Sequence, residues 1–286
     1  MSKLILNPKT STLVSDYLTN PGQAIGLVGE EWLEKDRIAE YIAEKLLEIP
    51  EGTLTSYPYY LNVNSDLGSS VTIEDIRGIS EFIMLKVPKN TNISRVVLIN
   101  RAGKMTIEAQ NALLKSLEEP PLDTLFILTA ETNNSLLPTI ISRLHIIKVY
   151  KPVKKELVEY YTQAGYSDED IKQAILISGG LPGLMEELLT NPDNPIATAA
   201  TTARKLLSSS TFERLSSIDQ LSKDKVQLKN VLFVIKQMAR IGVTSDNPKS
   251  AERWKKILSA TTDSEIKLSS NAQVKLLLTN YMLTIA

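Results

Sequence analysis

Five short, mostly apolar runs, Ala24–Val28, Tyr59–Val63, Arg95–Ile99, Leu125–Thr129 and His145–Val149, alternate with amphipathic stretches through the first half of the chain. Runs of this kind suit strands covered on both faces, and the segments between them suit helical crossovers joining parallel neighbours. From Glu34 to Ile49 the residues Ile38, Ile42, Leu46 and Ile49 recur at helical spacing. Thr72 opens a second helix, with Glu74 and Asp75 in its first turn and Ile73, Ile76, Ile79 and Ile83 along one face. A third covers Thr106–Glu118 through Ala109, Ala112, Leu113 and Leu117, and Pro120-Pro121 stops it. The pattern predicts an α/β core, a parallel five-stranded sheet flanked by helices, with any ligand site at the carboxyl ends of the strands.

Strand signals fade after Lys151-Pro152. The expected organisation is an α/β core over 1–152, a small helical module over 153–192, and an all-α domain over 193–286. Ser178-Gly179-Gly180-Leu181-Pro182-Gly183 punctuates the helical module, and Asn191–Asn194, which contains Pro192 and is followed by Pro195, reads as a linker. Beyond it the apolar residues keep helical spacing, as in Val226, Val231, Val234, Ile235 and Met238, and again over Val274 to Leu278.

Composition removes several kinds of chemistry. The chain has no cysteine and one histidine, His145, which excludes disulfides, thiolate nucleophiles, Cys-based zinc sites, clustered-histidine metal sites and a serine–histidine triad. A net charge of −1 gives no global positive field, so a stand-alone nucleic-acid binder is not expected, although local contact with DNA is compatible with it. Met1–Thr10 lacks a basic start followed by an apolar run, and nothing approaches the roughly 20 apolar residues that cross a bilayer. The expectation is a cytoplasmic protein without a membrane partner.

The most specific string is Asn111-Ala112-Leu113-Leu114-Lys115-Ser116-Leu117-Glu118-Glu119-Pro120-Pro121, an amphipathic helix that ends at two prolines and feeds a buried strand. Around it, in order, stand Ile73-Glu74-Asp75-Ile76-Arg77, Phe126-Ile127-Leu128-Thr129 and Ser142-Arg143. With this string and these flanking pieces the chain resembles the clamp-loader branch of the AAA+ proteins, clearly over about residues 20–190. The resemblance implies that 153–192 is the AAA+ lid and 193–286 an oligomerisation collar.

A working phosphate loop of that family needs Gly-x-x-x-x-Gly-Lys-Ser/Thr, in which backbone N–H groups surround the phosphates, lysine neutralises them and the hydroxyl holds magnesium. Here the string is Gly29-Glu30-Glu31-Trp32-Leu33-Glu34-Lys35-Asp36. Lys35 survives, Glu34 replaces the second glycine, and Asp36 replaces the hydroxyl. Glu30, Glu31 and Glu34 are expected to face a triphosphate, and unit like charges near 4 Å repel by roughly 4 kcal/mol at an effective dielectric of about 20. The loop therefore reads as dead for ATP, with an anion site rescued by Lys35 as the competing possibility. The magnesium-binding and water-polarising acids that end the third strand in the family are replaced by Asn100 and Arg101. An arginine cannot serve as a base. Leu184 and Met185 occupy the neighbourhood in which the lid's sensor arginine is expected. No cofactor and no metal are expected.

Ser142-Arg143 resembles the family's Ser-Arg-Cys motif, with Leu144 in place of cysteine. The resemblance implies that Arg143 projects into a neighbouring subunit's ATP site, where a permanently charged planar fork matches phosphate oxygens. In GTPases such fingers are worth on the order of a thousandfold or more in rate. The alternative is a structural arginine paired with a carboxylate at a helix end. His145 reads as a structural histidine, and Lys148, Lys151, Lys154 and Lys155 as a solvated basic face. Glu118 and Glu119 point about 100° apart on a helix and share no site, so the family's subunit interface is their expected use.

The implied function is that of a subunit of the bacterial replicative clamp loader that does not hydrolyse ATP. Its partners would be gamma/tau-like ATPase subunits and a delta-like subunit in a hetero-oligomeric ring, with the sliding clamp and primer-template DNA touched indirectly or weakly. Two rivals stand beside it: a gamma/tau-type motor with a divergent loop, and a non-enzymatic AAA+ scaffold in repair.

Overall fold

The computed structural model describes residues 4–63, 70–88, 92–191, 193–269 and 273–285, so Pro192 of the expected linker lies outside the described residues. The chain divides into two compact units, Met1–Val153 and Lys154–Ala286.

In the first unit the elements run α1 (Pro8–Thr19), β1 (Ala24–Val28), α2 (Lys35–Leu47), β2 (Tyr60–Val63), α3 (Ile73–Ile83), β3 (Arg95–Ile99), α4 (Ile107–Glu118), β4 (Thr124–Ala130), the short α5 (Pro138–Ile141) and β5 (His145–Lys148). The five strands pair in parallel in the order β2-β3-β4-β1-β5. From β1 the chain crosses to the far edge at β2 and works back through β3 and β4, which sets the carboxyl ends of β3, β4 and β1 side by side. These three strands are buried along their whole length, as continuous apolar runs require, whereas the edge strands β2 and β5 are only partly covered. Ile76 and Ile79 of α3 and Leu113 and Leu117 of α4 join Val97, Phe126 and Leu128 of the sheet in one core.

Local chemistry sets the helix starts. The Thr72 backbone N–H donates to Asp75 Oδ2 at 2.7 Å in a capping box at the head of α3. Thr106 Oγ1 accepts the Ala109 N–H at 3.1 Å and begins α4. Helix α1 has no counterpart in the sequence reading. It buries only Thr10, Val14 and Tyr17, too few apolar residues to mark a period, and owes its start to the Asn7 cap and to Pro8.

The second unit is helical throughout its described residues: α6 (Lys154–Gln163), α7 (Asp168–Ser178), α8 (Pro182–Thr190), α9 (Pro195–Ser208), α10 (Thr211–Ser216), α11 (Ile218–Leu221), α12 (Lys225–Gly242), α13 (Pro248–Ser269) and α14 (Val274–Thr284). Gly179 ends α7 in the left-handed region at φ 65°, and a Cβ there would meet Gln237 Oε1 of α12 at 2.5 Å. Helices from both sides of the expected linker thus pack within one unit. Among the described residues no helix is long and apolar enough to cross a membrane.

Candidate functional site

The loop from Gly29 to Glu34 leaves the carboxyl end of β1 and enters α2. The Gly29 N–H donates to the Ala130 carbonyl at 3.1 Å, tying the loop to the end of β4. A Cβ on Gly29 would lie 2.7 Å from the Val149 carbonyl oxygen, so packing alone requires glycine here. Trp32 and Glu34 are left-handed, at φ 65° and 52°. Glu34 immediately precedes α2, where a phosphate loop uses glycine because this conformation costs other residues roughly 1–2 kcal/mol. The turn is kept without the glycine.

Lys35 is turned into the loop itself. Its Nζ donates to the carbonyls of Gly29 at 2.8 Å and Glu30 at 2.7 Å. Burial lowers its pKa from the ordinary lysine value, opposed by the nearby Glu131, Glu31 and Asp36 carboxylates. Arg101, left-handed at φ 51°, places Nη2 3.3 Å from Glu31 Oε1, and its backbone N–H donates to Thr129 Oγ1 at 2.9 Å. The Asn100 amide links three strand ends: Nδ2 donates to Asn62 Oδ1 at 3.4 Å, and Oδ1 accepts from the Thr129 hydroxyl at 3.3 Å. The cavity beside Glu31, Lys35, Arg101, Lys104, Thr129 and Glu131 measures about 140 Å³, below the roughly 300–1,000 Å³ of ligand pockets.

One sequence expectation needs correction. Of the three glutamates expected to face a triphosphate, Glu34 pairs with Arg37 at 2.6 Å and Glu30 with Lys151 at 3.6 Å. Only Glu31 of those three lines the cavity, joined by Glu131, which the sequence reading missed. Glu34 turns to Arg37, three positions on along the first turn of α2, the spacing at which helical side chains meet. Asp36 occupies the first turn of α2, where the helix dipole favours a carboxylate. Leu184 and Met185 of α8 are fully buried in the second unit.

Ser142 and Arg143 lie at the other edge of the sheet, between α5 and the start of β5. Ser142 Oγ donates to the Thr139 carbonyl at 3.0 Å, and Arg143 Nη1 donates to the same carbonyl at 2.7 Å. Arg143 Nη2 forms an ion pair with Glu118 at the end of α4, and 32% of the arginine side chain stays exposed. The pairing gives Glu118 a partner within its own unit, which the sequence reading did not name. The signal was present, since a carboxylate at a helix C-terminus is disfavoured by the dipole unless a cation meets it. Leu144, in the family's cysteine position, is buried against Gly26 of β1.

Arg143 stands at the amino end of a strand, whereas Lys35 follows the carboxyl end of β1. Across the five residues of β1 the two edges are roughly 15 Å apart, beyond the reach of Arg143 to its own loop. His145 is exposed, its ring 5.1 Å from that of Tyr17. Of the basic run, Lys148 lies over the Tyr150 ring and Lys151 pairs with Glu30.

Residues 22–152 match the family model described as DNA polymerase III, delta subunit. A DNA polymerase III subunit delta' of Haemophilus influenzae is 32% identical over 135 residues, which cover 47% of this chain and 41% of that protein. The Bacillus subtilis protein of the same name is 34% identical over 110 residues, 38% of this chain and 29% of its own length. The matched segment therefore spans about two fifths or less of these relatives. A gamma subunit-related protein of DNA polymerase III from Thermotoga maritima aligns over 97% of this chain and 98% of its own at 18% identity and a TM-score of 0.48.

Proposed function

We propose that this chain, which belongs to the AAA+ clamp-loader family, serves as the delta-prime-like subunit of a DNA polymerase III clamp loader, hydrolysing no ATP itself and lending Arg143 to a neighbour's ATP site. The observation that carries this reading is the placement of Arg143. It is partly exposed, held by backbone and carboxylate partners, and set at the sheet edge opposite its own loop. A permanently charged fork so placed lies beyond the reach of its own phosphate loop, and its remaining N–H groups suit a phosphate presented by another subunit.

The state of its own loop supports the same division of labour. Lys35 is bonded to loop carbonyls, Arg101 answers Glu31, and Asn100 is bonded to the ends of neighbouring strands. The helices of 153–192 would act as the lid and those of 193–286 as the collar that joins a hetero-oligomeric ring with gamma/tau-like and delta-like subunits. The sliding clamp and primer-template DNA would be reached mainly through those partners, in the cytoplasm.

Reconstitution with gamma/tau-like and delta-like subunits and the sliding clamp tests the proposal. The full chain should restore clamp loading to a mixture lacking it. A chain that enters no complex with these subunits points instead to an AAA+ scaffold elsewhere.

A further inference from the structure

We propose that Glu118 is the positioning residue for Arg143, fixing the plane of its guanidinium toward the neighbouring subunit. This inference rests on the arginine-finger reading above. A guanidinium carries five N–H donors in one rigid plane, so its aim is set by the acceptors it meets. Nη1 of Arg143 donates to the Thr139 carbonyl at 2.7 Å and lies 3.4 Å from Ser142 Oγ. One Nη2 hydrogen goes to Glu118 Oε1. Nε and the second Nη2 hydrogen have no bonded partner among the described residues and are left to grip phosphate oxygens.

The two anchors are of different kinds. Thr139 and Ser142 belong to the short turn that carries the arginine, so they move with it. Glu118 comes from α4, which packs on the sheet core through Leu113 and Leu117 and contacts α5. It is therefore the contact that ties the guanidinium to the rigid body of the unit. Its location at the last position of α4 gives the carboxylate a reason to stay with a cation, because the helix end is itself partly negative. An exposed pair of this kind adds little to stability, so its removal should be felt in the aim of the arginine rather than in folding.

The test uses the full reconstituted clamp loader, with assembly checked by gel filtration and clamp- and DNA-stimulated ATPase resolved into kcat and KM. Arg143→Ala should lower kcat strongly. Glu118→Ala should lower kcat by about tenfold with KM for ATP unchanged. Glu118→Gln, which keeps an acceptor oxygen, should fall between Glu118→Ala and wild type. The double variant Glu118→Ala/Arg143→Ala should be no slower than Arg143→Ala alone. A double variant slower than Arg143→Ala overturns the positioning role, as does a Glu118→Ala complex that matches or outpaces wild type while Arg143→Ala is slow. An Arg143→Ala complex at full speed overturns the finger reading itself, and the positioning role falls with it.

Discussion

The ammonium of Lys35 donates to the carbonyl of Gly29 at 2.8 Å, so the residue best suited to neutralise a phosphate is bonded to the loop that would have received one. Calorimetry of the purified chain with ATP and magnesium should show no heat of binding at millimolar nucleotide. The corresponding thermal experiment is sensitive. A site with a Kd a hundredfold below the ATP concentration would add about 2.7 kcal/mol of stability, and no shift in Tm is expected. Saturable one-to-one binding would restore the motor-subunit reading.

Gly29 is constrained by packing. Its substitution by alanine would set a Cβ 2.7 Å from the Val149 carbonyl oxygen and 3.1 Å from Leu33 Cδ1. Gly29→Ala should lower unfolding free energy by about 1–3 kcal/mol in a urea titration, the usual cost of overpacking. An unchanged midpoint would show that this junction yields more easily than its geometry implies.

Glu40 supplies a pH test. Burial, and then the neighbouring Asp36 and Glu44 carboxylates, raise its pKa from the ordinary glutamate value, against the opposing pull of Arg37. The folded chain therefore holds this proton more tightly than the unfolded chain. The resulting stability is present below the unfolded pKa, about 4.3, and is lost as pH rises through the higher folded value. Glu40→Gln should accordingly raise the urea midpoint near pH 7 and lose that advantage near pH 4. Equal gains at both pH values would assign the effect to packing.

Much of the first unit was legible because its strands are buried and uninterrupted. Ala24–Val28 and Arg95–Ile99 have the same bounds in sequence and structure, and Thr72 and Thr106 marked helix starts by chemistry that is local to the chain. Helix α1 was hidden because two apolar side chains, Val14 and Tyr17, do not make a period. At the degenerate loop the replaced residues were readable one by one, but their directions were not. Glu34 turns to Arg37 and Glu30 to Lys151, partners set by the local fold and by the approach of distant chain. Glu118 and Arg143 are 25 positions apart, and only the packing of α4 beside α5 brings them together.

The most direct test of the central claim is the ATPase rate of a reconstituted clamp loader carrying Arg143→Ala, at matched assembly, with clamp and primer-template DNA present. If Arg143 serves a neighbour's ATP site, the complex should assemble normally and turnover at that site should fall by on the order of a thousandfold, in keeping with fingers supplied in trans. A variant complex that assembles and turns over ATP at the wild-type rate would contradict the claim and leave Arg143 as a structural partner of Glu118.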